Sequence, residues 1–343
     1  MSIAQLNQVA IAGIGNTEFS RNSGRSETQL AAECIKAALD DAGLRPADVD
    51  GMVTFTIDNN EDVSLIRNLG IEALSYSSRV PHGGGGSGGA LVHAAGAIVA
   101  GLADVVVVWR AMNERSEYRF GSANATPPAP GGGATSMEWS VPWGAATPAC
   151  WQSMVSQRYM VEYGIKSEDL AHISVLMRKH AANNPNAFGY EKPITVEDHQ
   201  SSRWIIEPIL RLLDCCQESD GGQAFVLTSI ERARDLKQKP VRVCAGAQHV
   251  PFPIDSITNF YQGDFTEMIS TSGMAAQLYE QSGIAPKDIQ VAQLYDHFSP
   301  IVLQHLEAWG FCGKGEGMDF LRAAKIVNEI PKPQFVVLKH SGK

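Results

Sequence analysis

The chain has 343 residues, 44% of them hydrophobic and 19% charged, the balance of a folded water-soluble protein too long for a single core. A formal charge of −9 without any Lys/Arg-rich run excludes a nucleic-acid binder, because neutralising phosphates supplies most of that affinity. Six cysteines without CxxC spacing, and a start without a basic-then-apolar leader, point to a reducing cytoplasm.

In chain order, Gln8-Val9-Ala10-Ile11-Ala12-Gly13 predicts a first strand. Gly13-Ile14-Gly15 behind it lacks the third glycine of the dinucleotide fingerprint, position 18 being Glu18, so no nicotinamide site is expected there. An amphipathic helix over residues 30–41 leads through Gly43-Leu44-Arg45-Pro46-Ala47-Asp48-Val49 into a strand, Gly51-Met52-Val53-Thr54-Phe55. The glycine run His82-Gly83-Gly84-Gly85-Gly86-Ser87-Gly88-Gly89 then opens an apolar helix to Gly101. The whole apolar stretch, residues 90–108, is interrupted by His93 and Asp104 and reads as a core helix running into a strand, with no membrane span.

Glycines allow the backbone to approach a ligand, and a helix start presents unpaired N–H groups. Gly84, Gly85, Gly86 and Ser87 are therefore candidates for holding an oxyanion or a thioester carbonyl; the same glycines would equally let a buried helix pass between two sheets. Gly85-Gly86-Ser87-Gly88-Gly89 also fits the nucleophile elbow of serine hydrolases. Its oxyanion-loop-like neighbour His82-Gly83-Gly84-Gly85 is contiguous with it, however, where a hydrolase uses a separate earlier loop. A hydrolase is the lesser alternative.

Residues 113–148 are rich in Gly, Pro, Ala, Ser and Thr, carry Trp139 and Trp143, and mark a long excursion. Residues 150–183 read as helical. Cys215 and Cys216 would point to opposite faces of an extended segment, so one metal cannot easily use both, and packing is their expected role. His172, His180 and His199 show no partner pattern. Residues 223–227 return as a buried strand.

A second series begins at residues 241–246 with a strand, followed by a helix over 268–281. Then comes Gly283-Ile284-Ala285-Pro286-Lys287-Asp288-Ile289 and a strand-like run Val291-Ala292-Gln293-Leu294-Tyr295. The two Gly-x-x-Pro-x-Asp segments place glycine, proline and aspartate in register, so the chain reads as a duplicated α/β architecture with mainly parallel sheets covered by helices. The counterpart of the first glycine run falls on residues 323–341, which hold Pro331 and Pro333 and no glycine run; the second half is expected to be incomplete, exposing a face for a mate or partner to cover. The expected division is residues 1–112 with 215–236 as the N-terminal half, 113–214 as a loop domain, and 237–343 as a truncated C-terminal half.

Ligands bind at the carboxyl ends of strands in open α/β sheets, which draws attention to Tyr295-Asp296-His297-Phe298. A phenol there can donate a hydrogen bond or move a proton, and Asp296 and His297 could serve similarly, although strand alternation turns Asp296 away from Tyr295. An interface or core tyrosine is the plain alternative. No metal-ligand set is expected.

The duplicated βαβαβαββ halves, the Gly-x-x-Pro-x-Asp segments, the glycine-flanked helix and Ser219-Asp220-Gly221-Gly222-Gln223-Ala224 together resemble the thiolase superfamily. Within it the chain is most similar to the SCP2-type lipid-transfer-protein branch, and especially to thiolase-like aldolase subunits of steroid side-chain degradation, up to about Phe320. Thiolases carry a nucleophilic cysteine before the buried helix; the matching position here is Gly84, and no cysteine lies between Cys34 and Cys150. The resemblance implies retro-aldol cleavage of a β-hydroxyacyl-CoA side chain to a ketone and propionyl-CoA, without a cofactor or acyl-enzyme. It implies Tyr295 as one of two catalytic tyrosines, a homodimer, and an obligate DUF35 partner, an OB-fold with a zinc ribbon that would hold any zinc. After Phe320 the family continues with a Gly-Gly-Gln-x-Gly-Glu-Ala-Tyr type segment bearing the second tyrosine, where this chain reads Lys325-Ile326-Val327-Asn328-Glu329-Ile330-Pro331. Alternatives of other classes are an SCP2-type thiolase or acyl-CoA acyltransferase, and a non-catalytic lipid or acyl-CoA-binding subunit.

Overall fold

The computed structural model describes residues 3–55, 58, 60–80, 86–117, 119, 121–122, 140–252 and 263–323. The chain divides into two compact units: residues 1–118, 219–248 and 280–283 form the first, and 119–218, 249–279 and 284–343 the second.

The first unit is built on one six-stranded sheet. Its strands are β1 (Val9–Asn16), β2 (Gly51–Phe55), β3 (Tyr76–Val80), β4 (Val105–Asn113), β7 (Asp220–Ser229) and β8 (Val241–Arg242), in the order β3-β2-β4-β7-β1-β8. β2 pairs parallel with both β3 and β4, and β7 runs antiparallel to β4 and β1. Helix α1 (Glu27–Ala42) covers one face, where Leu30, Ile35 and Leu39 meet Met52, Val105, Val107, Trp109 and Val226. On the other face α3 (Gly86–Val99) sets Ala90, Ala94 and Ala95 against Val53, Phe55, Val106, Val108 and Leu227. Because both faces are covered, the first five residues of β4, Val105 to Trp109, are all apolar and buried instead of alternating. Helix α2 (Asp62–Leu69), unannounced in the sequence reading, connects β2 to β3.

Close approach of α1 to β1 explains the first glycines. A Cβ on Gly15 would lie 2.3 Å from the Ala38 nitrogen and the Cys34 carbonyl oxygen. Gly13 and Gly15 thus admit a helix against a strand.

Both copies of the repeated segment fold alike. Gly43 and Gly283 take left-handed φ values of 76° and 68° behind their helices. Pro46 and Pro286 each open a 3-10 turn, and the Asp48 and Asp288 carboxylates accept the N–H groups of Arg45 and Ala285 at 2.8 and 3.0 Å.

The second unit is largely helical: α4 (Pro148–Tyr163), α5 (Ser167–Ala182), α6 (Val196–Ser201), a hairpin of β5 (Trp204–Ile206) and β6 (Leu210–Arg211), α9 (Ser299–Ala308) and α10 (Gly317–Ala323). The remaining helices are α7 (Ile230–Ala233) after β7 and α8 (Ile269–Ser282) before the second repeat copy. Tyr159, Leu170, Ile173 and Met177 pack with Leu294, Val302, Leu303 and Met318. One expectation fails here: residues 291–295 form no strand. Their first-half counterpart β2 lies between two neighbours, whereas among the described residues this run pairs with no ladder, and β-propensity without a partner does not make a strand. Residues 324–343, on which the expectation of an incomplete second half rested, lie outside the described residues.

Candidate active site

In the second unit, residues 295–298 run straight into α9, with Phe298 as its N-cap. The side chains alternate as an extended segment requires. Tyr295 is 43% exposed, Asp296 only 2%, and Phe298 is buried. Tyr295 and His297 consequently share a face, and their rings stack with centroids 4.7 Å apart and planes 27° from parallel. Asp296 is turned inward by the same alternation; Phe298 meets the His297 ring edge-on at 5.1 Å.

Neighbouring backbone holds this segment in place. The Cys216 N–H donates to the His297 carbonyl oxygen at 2.9 Å, and Cys215 forms an antiparallel bridge with Phe298. The register sets Cys215 beside Phe298 in an apolar cluster with Ile209, Leu210 and Ile301, and Cys216 opposite His297. At the head of α9, Ser299 exchanges a 3.0 Å hydrogen bond with Ser174 of α5, whose hydroxyl also donates to the Leu213 carbonyl at 2.8 Å.

The glycine candidates belong to the first unit. Gly84 and Gly85 lie outside the described residues. Gly86 and Ser87 form the first turn of α3, Gly86 buried so tightly that a Cβ would come within 3.1 Å of the Phe55 ring. Ser87 is half-buried. His93, further along α3, is engaged elsewhere: its Nδ1 lies 3.1 Å from the Ser78 hydroxyl and its Nε2 3.2 Å from the Gln248 amide oxygen. It is therefore not the base that a serine elbow at Ser87 would need.

None of the six cysteines forms a disulfide. Burial pushes Cys34 and Cys312 up to about 12, which keeps both protonated and non-nucleophilic at neutral pH. Among the described residues no group of three or more His, Cys, Asp and Glu side chains could hold a metal ion, and no helix is long and apolar enough to cross a membrane.

Two buried polar assemblies escaped the sequence reading. Asp220, fully buried in the first unit, accepts the Ser23, Arg115 and Ser116 N–H groups at 2.9–3.0 Å and the Ser116 hydroxyl at 2.6 Å. In the second unit His199 and Asp214, both wholly buried, meet at 2.8 Å. Only the Ser219-Asp220-Gly221 motif hinted at the first; the second had no signal, since the fold alone supplies the partner.

Comparison with known proteins adds to this geometry. The family described as thiolase C-terminal domain-like matches residues 256–329. A steroid side-chain-cleaving aldolase of Thermomonospora curvata is 51% identical over 313 residues, covering 91% of this chain and 80% of that protein. The 17-hydroxy-3-oxo-4-pregnene-20-carboxyl-CoA lyase of Mycobacterium tuberculosis is 50% identical over 316 residues, covering 92% and 81%. Among solved structures, the Ltp2-ChsH2(DUF35) aldolase superimposes with a TM-score of 0.88 at 49% identity, covering 94% of this chain and 82% of that one.

Proposed function

The chain belongs to the thiolase superfamily, in its steroid side-chain-cleaving aldolase branch, and on that premise we propose that it cleaves a β-hydroxyacyl-CoA side chain on steroid ring D to a ketone and propionyl-CoA. It is a carbon–carbon lyase acting on a CoA thioester. The observation that carries the detailed reading is the exposed Tyr295 stacked on His297 in a chain half identical to such lyases.

A retro-aldol step removes the proton from the tertiary hydroxyl as the bond between the β-carbon and the α-carbon breaks. The bonding electrons pass to the thioester as an enolate, which takes a proton at the α-carbon. The products together have the composition of the substrate, so neither redox cofactor nor water is consumed. Tyr295 is the group proposed to move the hydroxyl proton, with His297 stacked against its ring as the partner that orients it. Gly84, Gly85, Gly86 and Ser87 are proposed to hold the thioester oxygen through backbone N–H groups.

The structural likeness to a DUF35-containing aldolase supports a DUF35 partner for this chain, and any zinc would belong to that partner. We further propose a homodimer working in the cytoplasm, in keeping with cysteines that form no disulfide. Incubation of the chain and a DUF35 partner with a steroid β-hydroxyacyl-CoA should release ketone and propionyl-CoA in equal amounts by mass spectrometry. Cys216, opposite His297, is the thiol to inspect: an acyl group found on it would replace the aldolase reading with acyl-enzyme chemistry.

A further inference from the structure

We propose that the buried His199–Asp214 pair is a positioning element that sets the Tyr295–His297 stack, an inference that rests on the catalytic reading of that stack only for its effect on turnover.

The connection is continuous within the second unit. Asp214 accepts from His199 of α6 at 2.8 Å through one carboxylate oxygen and from the Arg211 N–H at 2.9 Å through the other. The Gln200 side-chain nitrogen lies 3.0 Å from His199 Nδ1, which makes Nδ1 the acceptor and places the proton on Nε2, directed at Asp214. Asp214 closes the single turn Leu212–Asp214. The next two residues, Cys215 and Cys216, are the ones that bridge Phe298 and bond the His297 carbonyl. The same turn is tied a second time, since Ser174 links the Leu213 carbonyl to Ser299. The segment carrying Tyr295 and His297 is thus registered against residues 213–216, and His199 fixes where those residues lie. Neither member of the pair reaches solvent, so neither can touch substrate.

The test compares His199→Ala and Asp214→Asn with His199→Gln, whose amide can still donate to Asp214. Asp214→Asn leaves no uncompensated buried charge and keeps the comparison open should His199→Ala not fold. The ring C–H proton signal of His297, identified by its loss in His297→Gln, carries the ring-current shift of the stacked Tyr295. His199→Ala and Asp214→Asn should lose that shift, and kcat should fall about 10- to 100-fold with KM within about twofold, as expected for misplaced reacting groups. His199→Gln should retain both. An unchanged His297 signal in the folded variants overturns the proposal. Loss of the signal with kcat unchanged leaves the positioning role standing and instead removes the catalytic role of the stack.

Discussion

One hydroxyl separates Tyr295 from phenylalanine, and the stack on His297 depends on the ring, not on that hydroxyl. Tyr295→Phe should therefore keep the fold and the stack while lowering retro-aldol kcat by ~10²-fold or more, the span typical of a lost proton-transfer group. Turnover within about twofold of the parent would remove Tyr295 from the mechanism. A second residue speaks to pH. Burial raises the Asp58 carboxyl from 3.8 to about 6, against hydrogen bonds from Ala111 and Asn60 and the nearby Arg79 charge. The folded chain thus holds this proton more tightly than the unfolded one, so the contribution of Asp58 to stability declines as pH climbs from about 4 to about 6, by on the order of 3 kcal/mol. Urea unfolding of the parent and Asp58→Asn at about pH 4.5 and about pH 7 should show the variant gaining on the parent at the higher pH. A stability difference that does not change with pH would count against it. The Tyr295–His297 face was legible because two-residue alternation is a local rule, whereas the pairing of His199 with Asp214 depends on where α6 and a later turn meet in space.

Local rules reached the elements equally well where both partners were local. The Gly-x-x-Pro-x-Asp segment encodes its own turn, so the same cap forms twice; Asp288→Ala should cost about 1 kcal/mol, the usual worth of a lost cap. Urea unfolding would measure it, and no change would mean that solvent serves the Ala285 N–H as well as the carboxylate does. The first helix and the first two strands were legible for the same reason, from periodicity and bounding glycines. What failed was the run at residues 291–295, whose apolar character serves packing of Leu294 against α5 and α9 residues, not a ladder. At the interface of α1 and β1 the glycine requirement is steric. Gly15→Ala forces a methyl to within 2.3 Å of backbone atoms that cannot rotate away, and should destabilise by about 1–3 kcal/mol or more. An unaltered melting temperature would show that α1 can slide outward at no cost.

At the scale of the whole molecule, the six-stranded sheet raises the question of its open edge. One end is finished by β8, only two residues long, while the other is β3, five residues long, beyond which the sheet has no further strand among the described residues. Exposed edges invite pairing, and charged side chains are one common guard. The charged residue of β3 is Arg79, but its guanidinium donates to the backbone carbonyls of Asp58 and Asn60 at 2.5 and 2.7 Å and is held over that loop. Ser77 and Ser78 are small and neutral and put no charge on this edge. A second copy can meet such an edge across a twofold axis, antiparallel to itself, which is the economical way to close it. The parent should therefore sediment at twice its 37.0 kDa chain mass. Ser77→Lys sets like charges near one another across the axis while leaving the β2 pairing and both helical layers intact, so it should shift the population to the single chain without lowering the melting temperature of the monomer. A monomeric parent would refute edge pairing outright, and a Ser77→Lys dimer of unchanged affinity would assign the association to a different surface.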